Sequence, residues 1–139
     1  MNVRRTLILG VLMMIPFVLS GCLPAVGPAT NQQGTGEFVK GAVAKGFPSV
    51  PLVSKATILE SVADKESFGL SAISDNDLGS VVKFYNDSLK QLGWDAQITK
   101  QSETNYVFDI KNDKSQGSVI VNTASDGKKT AITIFVAPR

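Results

Sequence analysis

The sequence predicts an α+β domain: an antiparallel sheet with one main helix packed on one face, in the order ββαββββ. Three observations lead there. Only Ser74 to Trp94 carries apolar residues at sustained three- and four-residue spacing, the period of a helix with one buried stripe. Six shorter runs between Lys55 and the C-terminus instead alternate apolar and polar residues, as half-buried strands do. The connections between them are short, which favours antiparallel neighbours over crossovers. Hydrophobic residues make up 43% of the 139 and charged residues 19%, enough for one folded domain and too apolar for wholesale disorder.

The first two strands are expected at Lys55–Val62, with Ala56, Ile58 and Glu60 on one side, and at Ser67–Ser74, with Phe68, Leu70 and Ala72 together. Ala63-Asp64-Lys65-Glu66 forms the turn between them. In the helix, Ser74 or Asp75 serves as N-cap, with acids in the first turn to suit the dipole. Leu78, Val81, Val82, Tyr85, Leu89 and Leu92 make the apolar stripe. Gly93 stands where a left-handed residue ends a helix, and Trp94 can fold back on the last turn. Gly79 weakens the first turn by up to about 1 kcal/mol. The last four strands are Trp94–Lys100, Asn105–Lys111, Ser118–Thr123 and the run holding Ile132, Ile134 and Val136. Asn112-Asp113 and Asp126-Gly127 mark turns, the latter a two-residue hairpin signal.

A different pattern precedes the domain. Arg4 and Arg5 are followed by an apolar run from Leu7 to Leu19, interrupted only by Gly10 and Pro16. Thirteen residues suit the core of an export signal and fall short of the roughly 20 that a membrane-spanning helix needs. Leu19-Ser20-Gly21-Cys22 then resembles the lipobox of bacterial lipoproteins, a leucine and two small residues before an invariant cysteine. The resemblance implies diacylglycerol on the Cys22 thiol, cleavage before Cys22 with Leu19, Ser20 and Gly21 as recognition residues, and in many bacteria acylation of the new N-terminus. Two or three acyl chains hold almost permanently where one holds weakly. The expected location is the outer side of a bacterial cytoplasmic membrane, or the outer membrane facing the periplasm in a diderm cell. Leu23 replaces the aspartate that tends to retain diderm lipoproteins in the inner membrane. An ordinary secreted protein would leave this cysteine, the only one in the chain, unexplained.

The expected organisation is therefore a signal peptide over 1–21, a lipid-attached flexible tether over 22–46 and a small α+β domain over 47–139. Five glycines and three prolines between Leu23 and Val50 suit a linker. Within it, Glu37–Lys45 is expected to form at most one short helical turn. Phe84-Tyr85-x3-Leu89-x3-Gly93-Trp94, after Pro48-x-x-Pro51, also resembles a group of small extracytoplasmic bacterial domains, commonly lipoproteins. Many of these have a Pro-Gly-Ala step before the first strand, where this chain has Ser54-Lys55-Ala56. The motif is made mostly of core positions and implies a fold, not a chemistry.

Composition narrows the function classes. Removing residues 1–21 leaves 12 basic and 12 acidic side chains, a neutral domain without the charge that nucleic-acid binding needs. There is no histidine, which removes the commonest general base and metal ligand. Asp75-Asn76-Asp77 resembles part of a calcium loop, but Gly79 and Asn86 occupy the fifth and twelfth positions where ligands are required. Gly34-Thr35-Gly36 lacks the rest of a phosphate loop, and the sequon Asn86-Asp87-Ser88 reads as solvated helix surface. Nothing singles out two of the twelve acids as a hydrolase pair, so no catalytic residue and no metal ligand is assigned. No cofactor is expected beyond the covalent lipid.

The expectation is a non-catalytic binding or adaptor module of the cell envelope, held to the membrane by its lipid and able to engage another envelope protein. A structural or self-associating component is the alternative, a carboxylate-dependent hydrolase ranks third, and the oligomeric state is open. A one-helix domain covers one face of its sheet. On the other face Val107, Ile120 and Phe135, mixed with Asp109, Asn122 and Thr133, are the expected partner-binding patch.

Overall fold

The computed structural model describes residues 36–139. Leu19, Ser20, Gly21 and Cys22, and the signal peptide expected over 1–21, lie outside the described residues. The elements are β1 (Glu37–Lys40), β2 (Thr57–Asp64), β3 (Ser67–Ser74), α1 (Leu78–Gln91), β4 (Asp95–Ser102), β5 (Asn105–Lys111), β6 (Ser115–Thr123) and β7 (Thr130–Pro138). All seven strands join one antiparallel sheet in the order β1-β2-β3-β7-β6-β5-β4.

The expected order ββαββββ is corrected to βββαββββ, and only the broad α+β class stands. Glu37–Lys40 forms neither a helical turn nor free linker; it pairs with Glu60–Ala63 of β2 as an edge strand. Four residues with one half-buried side chain facing the core, Val39, are too short to leave a readable alternation. Gly41, at φ 72°, then turns the chain away while its N–H still bonds the Leu59 carbonyl at 3.1 Å.

The helix explains the topology. β1–β3 form one meander and β4–β7 another, and α1 carries the chain from the first to the far edge of the sheet. β7 then closes the sheet by pairing with β3 over Phe68–Ser74. The helix starts later than expected: Asp77 is the N-cap, accepting from the Ser80 N–H at 3.0 Å and from its hydroxyl at 2.6 Å. Asp75 and Asp77 thus precede the helix, and its first turn contains no acid. Its end follows the glycine rule. Gly93 has φ 81°, its N–H bonds the Lys90 carbonyl at 3.1 Å, and the Trp94 N–H reaches back to Leu89 at 3.0 Å.

Val81, Tyr85 and Leu89 of α1 are fully buried against Phe108, Ile110, Val119, Val121 and Ile134 of the sheet. Leu92, the last member of the expected stripe, is half exposed at the C-cap. The same face over β2 and β3 is covered by the segment between β1 and β2. There Phe47 packs edge-on against Phe68 with centroids 5.7 Å apart, and Val50, Leu52 and Val53 join the core. The Trp94 indole N–H fastens this segment by donating to the Ser49 carbonyl at 2.9 Å. Ala44 is buried over Ser61, whose hydroxyl accepts from the Ala44 N–H at 3.1 Å and donates to the Gly69 carbonyl at 3.0 Å.

Two further expectations change. A bulge between Ile58 and Glu60 breaks the alternation of β2, so Ile58 and Ser61 face the core while Glu60 and Val62 face outward. The Asp126-Gly127 turn is not a two-residue hairpin. It lies in a longer loop closed by the Ala124 N–H on the Lys129 carbonyl at 2.8 Å, with Asp126 accepting from the Lys128 and Lys129 N–H groups.

Candidate functional site

The sheet face opposite α1 is the candidate site, and strand register arranges it in rows. One row reads Phe38, Val62, Gly69, Phe135, Ser118, Asp109 and Gln97 from edge to edge. The next reads Lys40, Glu60, Ser71, Thr133, Ile120, Val107 and Thr99. The three residues expected to form one patch lie in these two adjacent rows, Phe135 diagonal to Ile120 on the neighbouring strand. Val107 and Ile120 are neighbours in the second row, half-buried among polar side chains. Phe135 stands in the first row and is 51% exposed.

Phe135 has company that sequence reasoning missed. Phe38 is 55% exposed and Val62 38%, and both lie in its row. Between Val62 and Phe135 sits Gly69, where an added Cβ would meet nothing within 4 Å. The result is a shallow hollow of about 240 Å³, floored by Gly69 and bordered by Val62, Ser71 and Phe135. Phe38 was hidden because its strand reads as linker, and Val62 because the bulge in β2 reverses its facing. The signal for Phe38 was present in Glu37-Phe38-Val39-Lys40, an apolar pair between charges that ends at a glycine.

The same face holds a larger recess, about 390 Å³, lined by Asp95, Gln97, Asp109, Lys111, Gln116 and Gly117. Asp95 is engaged there by the Lys111 ammonium at 3.3 Å. Both carboxylates are exposed to bulk water, the setting of a solvated surface and not of a water-excluded reaction site. Gly117 belongs to this corner for a packing reason: a Cβ there would collide with the Phe135 carbonyl.

The groups with displaced pKa values lie on the helix, the loops and the β4 edge. The Ser80 hydroxyl and amide hold the Asp77 carboxyl below its usual value. The Lys129 and Lys128 amides do the same for Asp126. The Lys83 ammonium, 2.7 Å from Asp87, lowers that carboxyl and is itself raised. Asp75, the other acid of the calcium-like stretch, pairs with Lys129 at 3.0 Å. These acids are occupied as caps and pairs. Among the described residues, no three His, Cys, Asp or Glu side chains are grouped to hold a metal ion. Nor is any helix among them long and apolar enough to cross a membrane.

Compared with known proteins, the chain matches no family model, no curated protein and no solved structure. The functional reading therefore rests on the residues themselves.

Proposed function

We propose that this chain is a bacterial lipoprotein whose folded domain serves as a non-catalytic binding module of the cell envelope. The anchor in this reading is lipid on Cys22, after the recognition residues Leu19, Ser20 and Gly21. It places the domain on the outer side of the cytoplasmic membrane, or on the periplasmic face of the outer membrane in a diderm cell. The observation that carries the binding role is the uncovered sheet face. Helix and linker wrap one side of the sheet, while the other presents an open surface seven strands wide, with Ile120 one strand from its middle and Val107 beside it toward the β4 edge. Open sheet faces with apolar residues among Ser, Thr and Asn side chains suit contact with another macromolecule. The neutral balance of 12 basic and 12 acidic residues beyond residue 21 speaks against nucleic acid as that partner.

A photo-crosslinking amino acid at Thr133, exposed between Ser71 and Ile120, tests this in living cells, with Cys22→Ser as the control that removes the anchor. The expected result is a discrete adduct with a second envelope component, lost in the control. A homodimer adduct would transfer the role to self-association, and the absence of any adduct would remove the face as a binding surface.

A further inference from the structure

The row Phe38–Val62–Phe135 points to a specific contact. We propose that this corner of the open face rests on the lipid bilayer, so that the domain lies against the membrane that anchors it. The proposal deepens the lipid-anchor reading and rests on it.

By itself this corner is too small to hold a freely diffusing protein, and the protein contact proposed above is centred on the next row, at Thr133 and Ile120. Two phenylalanines about half exposed, with Val62 between them, offer roughly 250 Å² of apolar surface, where a stable protein interface takes roughly 800 Å² of total surface per partner, about half of it apolar. A second copy of this chain would meet the same shortage. A bilayer does not, because the anchor already holds the domain beside it and a small contact then operates at high effective concentration.

The place where the chain enters the fold supplies the second argument. Gly36 lies fourteen positions after Cys22, so the entry to β1 can stand no farther than about 50 Å from the lipid even at full stretch. Phe38 is two residues beyond that entry, on the strand nearest the anchor. Among the exposed phenylalanines of the open face, Phe38 is therefore the one joined to the lipid by the shorter length of chain.

The local shape fits lipid better than a side-chain socket. Between the two rings stand only Val62 and Gly69, with Ser71 beside the glycine and Ser118 beyond Phe135, so small side chains leave the floor around Phe135 low. Aromatic side chains of this kind enter the boundary between headgroups and acyl chains. Lys40 stands in the neighbouring row beside Phe38, and Glu60 lies directly opposite it across the strands. The charge there is balanced, so the contact is apolar in origin and depends little on anionic lipid.

The experiment uses the full-length acylated protein reconstituted into phosphatidylethanolamine–phosphatidylglycerol vesicles that contain nitroxide-labelled lipid. Acylation consumes the only native thiol, so single substitutions Phe38→Cys, Phe135→Cys and Ser125→Cys each carry one environment-sensitive fluorophore. Ser125 is exposed in the β6–β7 loop, at the other end of the sheet. Labels at 38 and 135 should be quenched several-fold more strongly than the label at 125. Equal quenching at all three positions, in protein that floats with the vesicles, would overturn the bilayer contact and leave the anchor standing. Labels at 38 and 135 that are shielded from water yet unquenched by lipid would overturn it in favour of a protein contact. Protein that fails to float with the vesicles would overturn both the contact and the anchor.

Discussion

At the scale of single residues, Tyr85 combines the most burial with the least satisfaction. It is fully buried, packs edge-on against Phe84 at 5.1 Å and lies 6.1 Å from Phe108. Its hydroxyl has no hydrogen-bond partner among the described residues. Burial pushes the phenol well above its usual value, and the nearby Val53 backbone acts in the opposite direction as the smaller influence. A buried hydroxyl without a partner costs about 1–3 kcal/mol in desolvation, while the ring supplies the packing. Tyr85→Phe keeps the ring and should leave stability in urea unchanged or higher. A loss above about 1 kcal/mol would show that the hydroxyl is bonded. Linkage gives a second readout. A phenol with a raised folded pKa contributes stability below the unfolded value near pH 10 and loses it as pH rises beyond that point. Tyr85→Phe should therefore flatten the alkaline decline in melting temperature.

At the scale of elements, the helix shows how capping couples to pH. Asp77 accepts from both the hydroxyl and the N–H of Ser80, and these bonds hold its pKa below the ordinary carboxylate value. A depressed folded pKa contributes stability above the unfolded value, near pH 4, and loses it as pH falls through the folded pKa. Asp77→Asn retains a good capping side chain and removes the titration. Its thermal melts should lie slightly below wild type at neutral pH and converge with it in acid. A constant offset across the pH range would show that the carboxylate charge is irrelevant to the cap. The helix was also the most legible element in the sequence, because its signals repeat. Val81, Tyr85 and Leu89 share a face, and Gly93 with Trp94 marks the stop. Strands were legible where alternation ran unbroken, as in Tyr106–Phe108–Ile110. They were misread where one residue changed the period: the bulge at Ile58/Glu60 turned Val62 outward, and no composition signal announces a bulge. The candidate face was legible in kind but not in layout. Strand order is set by where α1 delivers the chain, so no local pattern could show that Phe38 and Phe135 stand in one row.

At the scale of the whole molecule, the question is where the folding unit begins. Composition places the boundary near residue 47, because the glycines and prolines before it read as linker. The packing argues for an earlier start. β1 extends the sheet by a strand, Ala44 seals the buried Ser61 hydroxyl, and the Ala44 N–H supplies one of that hydroxyl's two hydrogen bonds. Phe47 and the Trp94–Ser49 bond hold the next stretch over Phe68 and the helix end. A chain that starts at Phe47 keeps these last contacts but uncovers Ser61 and frees the polar edge of β2 over Glu60–Ala63. An edge strand with Val62 and Leu59 exposed is also open to pairing with other chains. The fragment 47–139 should therefore be less stable in urea than 36–139 by at least about 0.5–1.5 kcal/mol, the net worth of the one Ala44–Ser61 hydrogen bond it loses. It should also aggregate more readily. Equal midpoints and equal solubility for the two fragments would mean that β1 adds nothing to the fold and that residues 36–46 belong to the linker. A lower midpoint for the shorter fragment would place the start of the domain at β1, so that a strand whose composition reads as linker is itself part of the folding unit.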